Sequence, residues 1–215
     1  MLTEDYLMRM IRLATAAIAR AFGLKAALLY RDSLAVLEDA LGQVVGLPAE
    51  ILHRMDDASI IALCANSSKV NYDQLYVVAD LIRAEGEIFD TLPNPQESGW
   101  RFLRALNLFL EVFLHRTSDQ LPASDEKIEA LAVKFPLDTL PADLQYPLFY
   151  YYEKSGNYAS AAQLLDILIR NNPQSGDLQA EARDFFQRMA KKPEEELIRG
   201  GLTAQFVQRR LKGHA

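Results

Sequence analysis

Residues 99–116 constrain this chain more than any other segment. Trp100, Phe102, Leu103, Leu106, Leu108, Phe109, Leu110, Val112, Phe113 and Leu114 fall within one helical run and leave only a narrow polar strip. A helix that is apolar on nearly every side is stable only when other elements surround it, so this segment belongs at the centre of a packed structure. What surrounds it must also be helical. Apolar residues recur at three- and four-residue spacing along the whole sequence, and no segment alternates with the period of two that a half-buried strand requires.

The chain divides into helices at recognisable stop signals. The first covers residues 3–22, with Thr3 as N-cap, Glu4 and Asp5 in the positive first turn, and Gly23 as its end. Its apolar stripe is wider than one face needs, which calls for burial on two sides, a second copy of the chain, or a membrane surface; its few arginines do not suit the last. Further helices are expected at about 27–45, 48–54, 57–65 and 71–90. Leu92-Pro93-Asn94-Pro95 then stops the run, because neither proline can continue a helix. Pro122 and Pro136 bracket a short helix with Ser124 as its cap. Helices at about 141–154, 158–171 and 177–191 come next, with a short one after Pro193 and a helical tail from Thr203. The best domain boundary is Pro93 to Gly99, giving an N-terminal helical region 1–92 and a second region 99–215, or else one continuous array.

Composition limits the partners. The 215 residues carry a formal net charge of −6, so a general affinity for nucleic acid phosphates or anionic lipid is not expected. Cys64 is the single cysteine; it excludes an intramolecular disulfide and reads as a buried small hydrophobe. The N-terminus lacks the basic region of a secretory signal, and no segment reaches the roughly 20 apolar residues of a membrane-crossing helix, so a cytoplasmic protein is expected.

Residues 145–173 include Leu148, Phe149 and Tyr152, then Gly156, then Tyr158, Ala161, Leu165 and Leu168, then Pro173. Glycine accepts the left-handed conformation at a helix end, and a small residue at 161 lets two helices approach closely. This stretch resembles a tetratricopeptide repeat, which implies a helical hairpin stacked against others of its kind. It departs from the usual pattern at Gln145, where a large aromatic is common, and at Phe149, where a small residue is common. The second-helix pattern Tyr158–Ala161–Leu165–Leu168 recurs with identical spacing as Tyr30–Ser33–Leu37–Ala40 and Phe102–Ala105–Phe109–Val112. More broadly, Gly46–Leu52, Asp56–Leu63 and Leu75–Phe89 resemble a family of bacterial proteins of unknown function with tetratricopeptide-like folds. The expected fold is therefore all-α, with antiparallel hairpins stacked as a tetratricopeptide-like array or right-handed superhelix.

No catalytic, cofactor or metal site is assigned. His53 with Asp56 and Asp57 has a ligand-like spacing, but Asp56 or Asp57 is better read as a helix cap. Asp80, Glu85 and Glu87 read as a solvated face instead of acid–base machinery, since Glu85 and Glu87 point to different sides of a helix. The aromatic cluster around Tyr150 and Tyr151 exceeds what one face can bury, so these two are the expected exposed contacts, together with the basic tail residues Arg209 and Arg210. The expected function is an interaction scaffold for a protein or peptide, its own second copy included. The alternative is an enzyme or small-ligand binder whose site is assembled from several helices. Nucleic-acid binding through residues 199–215 is a weaker third.

Overall fold

A computed structural model describes residues 2–66, 69–93, 95–115 and 124–213; Ser67, Ser68, Asn94, Pro122 and His214 lie outside them, as does the side chain of Thr3. The described chain is helical, apart from a two-residue antiparallel ladder that pairs Ala65–Asn66 (β1) with Lys69–Val70 (β2). It forms two compact units, residues 1–131 and 132–215.

In the first unit, α1 (Leu2–Ala26) and α2 (Tyr30–Val45) form a hairpin. The two approach closely at Ala21 and Ser33, both fully buried, where the Ser33 hydroxyl donates to the Ala21 carbonyl at 2.7 Å. Gly23 does not end α1, which continues to Ala26. A single interior glycine costs only about 1 kcal/mol relative to alanine, and Lys25 secures the last turn by donating to the Glu87 carbonyl at 2.7 Å. The short helices α3 (Ala49–Arg54) and α4 (Asp57–Leu63) follow, the second capped by Asp56, which accepts from the Ser59 N–H at 2.7 Å.

The centre of this unit is the hairpin of α5 (Tyr72–Phe89) and α6 (Pro95–His115), with α1 and α2 also packed on α5. Leu75, Leu81 and Ile82 of α5 and Ala105, Leu108 and Phe109 of α6 are fully buried. Gly86 permits the contact: a Cβ there would stand 2.7 Å from the Phe102 ring. This hairpin also moves the boundary expected at 93–99. Pro95 opens α6, where its missing N–H costs nothing, and the two helices across the Pro93 break belong to one core. The division instead falls after Leu131 within α7 (Asp125–Ala132).

In the second unit, α8 (Ala142–Ser155) and α9 (Tyr158–Asn171) form the hairpin that the 145–173 pattern predicts. Gly156 adopts φ +85° at the end of α8, and Tyr158, Ala161, Leu165 and Leu168 are all buried. Next come α10 (Gly176–Ala190), α11 (Glu194–Arg199) and α12 (Ala204–Gly213), with α10 packed on α9 and α12. Gly200 closes the unit by receiving the Tyr158 ring, while its carbonyl accepts from the Ala159 N–H at 2.8 Å.

The recurring four-residue pattern lies in each case on the second helix of a hairpin: α2, α6 and α9. Eleven of its residues are buried and Tyr30 is half-buried. The shared spacing thus marks a largely buried face on each of the three helices.

Candidate functional site

The end of α3 and the first turns of α6 open onto a cleft of about 680 Å³ in the first unit. Glu38 of α2, Glu50, His53 and Arg54 of α3, and Glu97, Trp100 and Arg101 of α6 line it, with Gln96. Behind this wall sits Glu85, whose side chain is 1% exposed. Arg101 donates from Nε to Glu85 Oε2 at 3.1 Å and also pairs with Glu97. His53 Nε2 lies 3.2 Å from the same Glu85 oxygen, without the alignment of a hydrogen bond. The guanidinium of Arg101 rests 4.1 Å from the centre of the Phe89 ring, which shields it from water on that side.

Trp100 stands at the mouth of the cleft, 36% exposed. The structure thus corrects the expectation that the whole of residues 99–116 is core: Trp100 and His115 are exposed near its two ends, while Phe102, Leu106, Phe109 and Val112 are buried. His53 meets the Trp100 ring edge-on at 5.9 Å, and the Arg104 guanidinium covers it at 4.1 Å. Arg104 is itself fixed from several directions. It donates to Asp57 Oδ1 at 2.8 Å and to the carbonyls of His53 and Met55, so it staples the α3–α4 turn onto α6. Asn107 fills the other Asp57 oxygen at 2.7 Å.

These contacts give each of the acidic residues singled out from sequence a place. Asp56 is the cap of α4, and the Ser59 hydrogen bonds hold its carboxyl below the ordinary range. Asp57 is committed to Arg104 and Asn107, so the trio with His53 is not a cluster of ligands; among the described residues no group of three or more histidines, cysteines and acids could hold a metal. Asp80 pairs with Arg83 at 2.8 Å and Lys127 at 2.6 Å, and Glu87 pairs with Arg83. Glu85 is the correction. In place of the solvated face expected for it, its side chain is fully buried. The signal was present: Glu85 follows Leu81 by four residues and Ile82 by three, and precedes Ile88 by three, which places it on an apolar stripe.

In the second unit the expected contact residues part ways. Tyr151 is 1% exposed and cannot serve as a surface contact, because it continues the buried stripe of Leu144 and Leu148. Tyr150 is half-buried; its hydroxyl meets that of Tyr146 at 3.0 Å and donates to Glu181 at 3.3 Å, contacts that, with partial burial, push its pKa up. Arg210 pairs with Asp166 and covers the Phe186 and Phe206 rings at 5.1 and 5.9 Å, so it pins α12 in place. Arg209 is exposed. Cys64 is 1% exposed, and burial pushes its thiol up to about 11. No described helix is long and apolar enough to cross a membrane.

Residues 1–213 match a family of unknown function (DUF6483), and the chain belongs to that family. No curated protein and no solved structure matches it.

Proposed function

We propose that this member of a family of unknown function is a binding protein whose N-terminal unit receives a basic side chain of a protein or peptide partner in the Trp100 cleft. The observation that carries this reading is the charge balance of the lining. Arg54 is taken up by Glu50, and Arg101 by Glu85 and Glu97. Glu38 has no cation among the described residues. The cleft therefore offers an uncompensated carboxylate and a partly exposed indole that already carries Arg104 at 4.1 Å and Arg101 at 5.2 Å. A lysine or arginine entering it gains an ion pair with Glu38, and its methylenes gain apolar contact with the exposed edge of the indole.

The architecture belongs to the same proposal. Three hairpins with one shared packing pattern support degenerate tetratricopeptide-like repeats, a plan that serves partner recognition in many settings. We place the protein in the cytoplasm, a reading supported by a lone buried thiol that needs no oxidising compartment.

Trp100 is the single tryptophan, so its fluorescence reports the cleft directly. Titration with a tetra-arginine peptide should shift its emission saturably, and Glu38→Gln should weaken the response. A response to tetra-glutamate instead, or to neither peptide, overturns the reading.

One observation favours a second reading, an enzyme: the buried Glu85 carboxylate beside His53 resembles the pairing that orients a general base. Against it, both ring nitrogens of His53 are buried and face no hydrogen-bond partner. A substrate in the cleft would meet ring carbons.

A further inference from the structure

The turn between α1 and α2 ends α1 with a left-handed residue, and that residue is a leucine instead of a glycine. Leu28 has φ +62° and is the only non-glycine among the described residues in the left-handed region. That conformation is costly for an ordinary residue, and glycine normally occupies it. The hydrogen bonds of the turn come from the main chain alone: Leu28 N–H to the Lys25 carbonyl and Leu29 N–H to the Leu24 carbonyl, both at 2.9 Å. A glycine would make them equally well. Yet Leu28 is held there with 71% of its surface exposed, and Leu29 beside it with 48%.

Alongside lies an open groove of about 510 Å³, lined by Leu28 itself with Leu29, Tyr30, Leu34 and Leu92. Arg31 and Asp32, both exposed, also line it. Neither has a hydrogen-bond or ion-pair partner among the described residues. One patch therefore carries a protruding leucine, an apolar recess, and two adjacent unpaired charges of opposite sign.

We infer that this patch is the interface of a two-fold homodimer, in which Leu28 of each copy enters the groove of the other. A two-fold axis brings a surface against itself, so the patch must complement its own features. This one does. Knob meets recess twice, and Arg31 of each copy faces Asp32 of the other, so the two unpaired charges on each chain find partners in one step. A different protein would have to supply an apolar knob flanked by both signs of charge, whereas a second copy supplies them by construction. Burial of two leucine side chains gives a use for the strained backbone that displays them.

Sedimentation equilibrium of the full chain, from low to high micromolar concentration, tests this. The expected result is a reversible dimer of the 24.2 kDa chain. Leu28→Asp should raise the dissociation constant at least about tenfold; aspartate tolerates the left-handed conformation, so the fold survives the change. Arg31→Asp and Asp32→Arg should each weaken the dimer, and the double variant should restore it, because the swap preserves both cross-pairs. Leu28→Gly should weaken the dimer while raising the melting temperature of the monomer. A wild-type chain that remains monomeric throughout, a dimer indifferent to Leu28→Asp, or a charge swap without rescue overturns the inference.

Discussion

The Nε of Arg101 donates to Glu85 Oε2 at 3.1 Å, joining two charges that are both withdrawn from water. The pair spans the two central helices, and the second Glu85 oxygen has no hydrogen-bond partner. Burial of a carboxylate is tolerable only while its cation stays in place. Arg101→Met should therefore destabilise the N-terminal unit by about 3–5 kcal/mol, whereas the double variant Glu85→Leu/Arg101→Met should lose far less. Urea unfolding followed through Trp100 fluorescence checks both. Equal losses in the single and double variants would mean that the pair is not what secures the hairpin.

Gly200 supplies a test of the C-terminal unit. A Cβ at this position would stand 2.6 Å from the Gly156 carbonyl oxygen and still closer to the Tyr158 ring. The carbonyl belongs to the backbone of the α8–α9 turn and cannot step aside. Gly200→Ala should cost on the order of 2 kcal/mol by overpacking, read as a lowered thermal midpoint by circular dichroism. Gly176→Ala, where a Cβ meets nothing within 4 Å, is the control and should change little.

Cys64 should be chemically silent. Burial holds its thiol at about 11, against an ordinary value of 9.0, so almost no thiolate exists at pH 8 and the sulfur is out of reach. A disulfide reagent should label it slowly in the native protein and at once in urea. Fast labelling of the native chain would place Cys64 at the surface.

Three linked groups make the C-terminal unit sensitive to pH. Lys192 and Tyr158 both bond to Glu196, each at 2.6 Å, and hold its carboxyl below the ordinary 4.5. The stability that this contributes is present above pH 4.5 and is lost as pH falls through the depressed folded-state pKa. Its hydrogen bond to Glu196 raises Lys192 above 10.5, and burial followed by the Glu196 bond raises Tyr158 above 10.0. Both contributions are complete below pH 10 and decline above it, since the unfolded chain releases those protons first. Unfolding of the C-terminal unit followed across pH should therefore show a plateau with losses at both ends, and Glu196→Gln should flatten the acid limb.

The helices themselves were legible in the sequence because caps and breaks act locally. Pro93, Pro95, Gly46 and Gly156 each stop or start an element for reasons contained within a few residues. The hairpin at 145–173 was legible for the same reason, since Gly156 and Ala161 state their roles through size alone. What the sequence concealed is which helices share a core. Pro93 and Pro95 break the chain without separating domains, because the faces of α5 and α6 match across the break. The cleft was concealed more deeply. Glu85 and Arg101 are sixteen residues apart, and Asp57 and Arg104 forty-seven, so their pairing depends on how hairpins close and not on spacing within a helix. Tyr151 was misplaced by counting aromatics instead of following its register with Leu144 and Leu148.

The enclosure of Glu85 carries a consequence for the family as a whole. Positions 85 and 101 are bound to a common fate: a lineage that loses the acid leaves a stranded base, and one that loses the base leaves a stranded acid. Across related chains the two should covary, both ionic or both hydrocarbon.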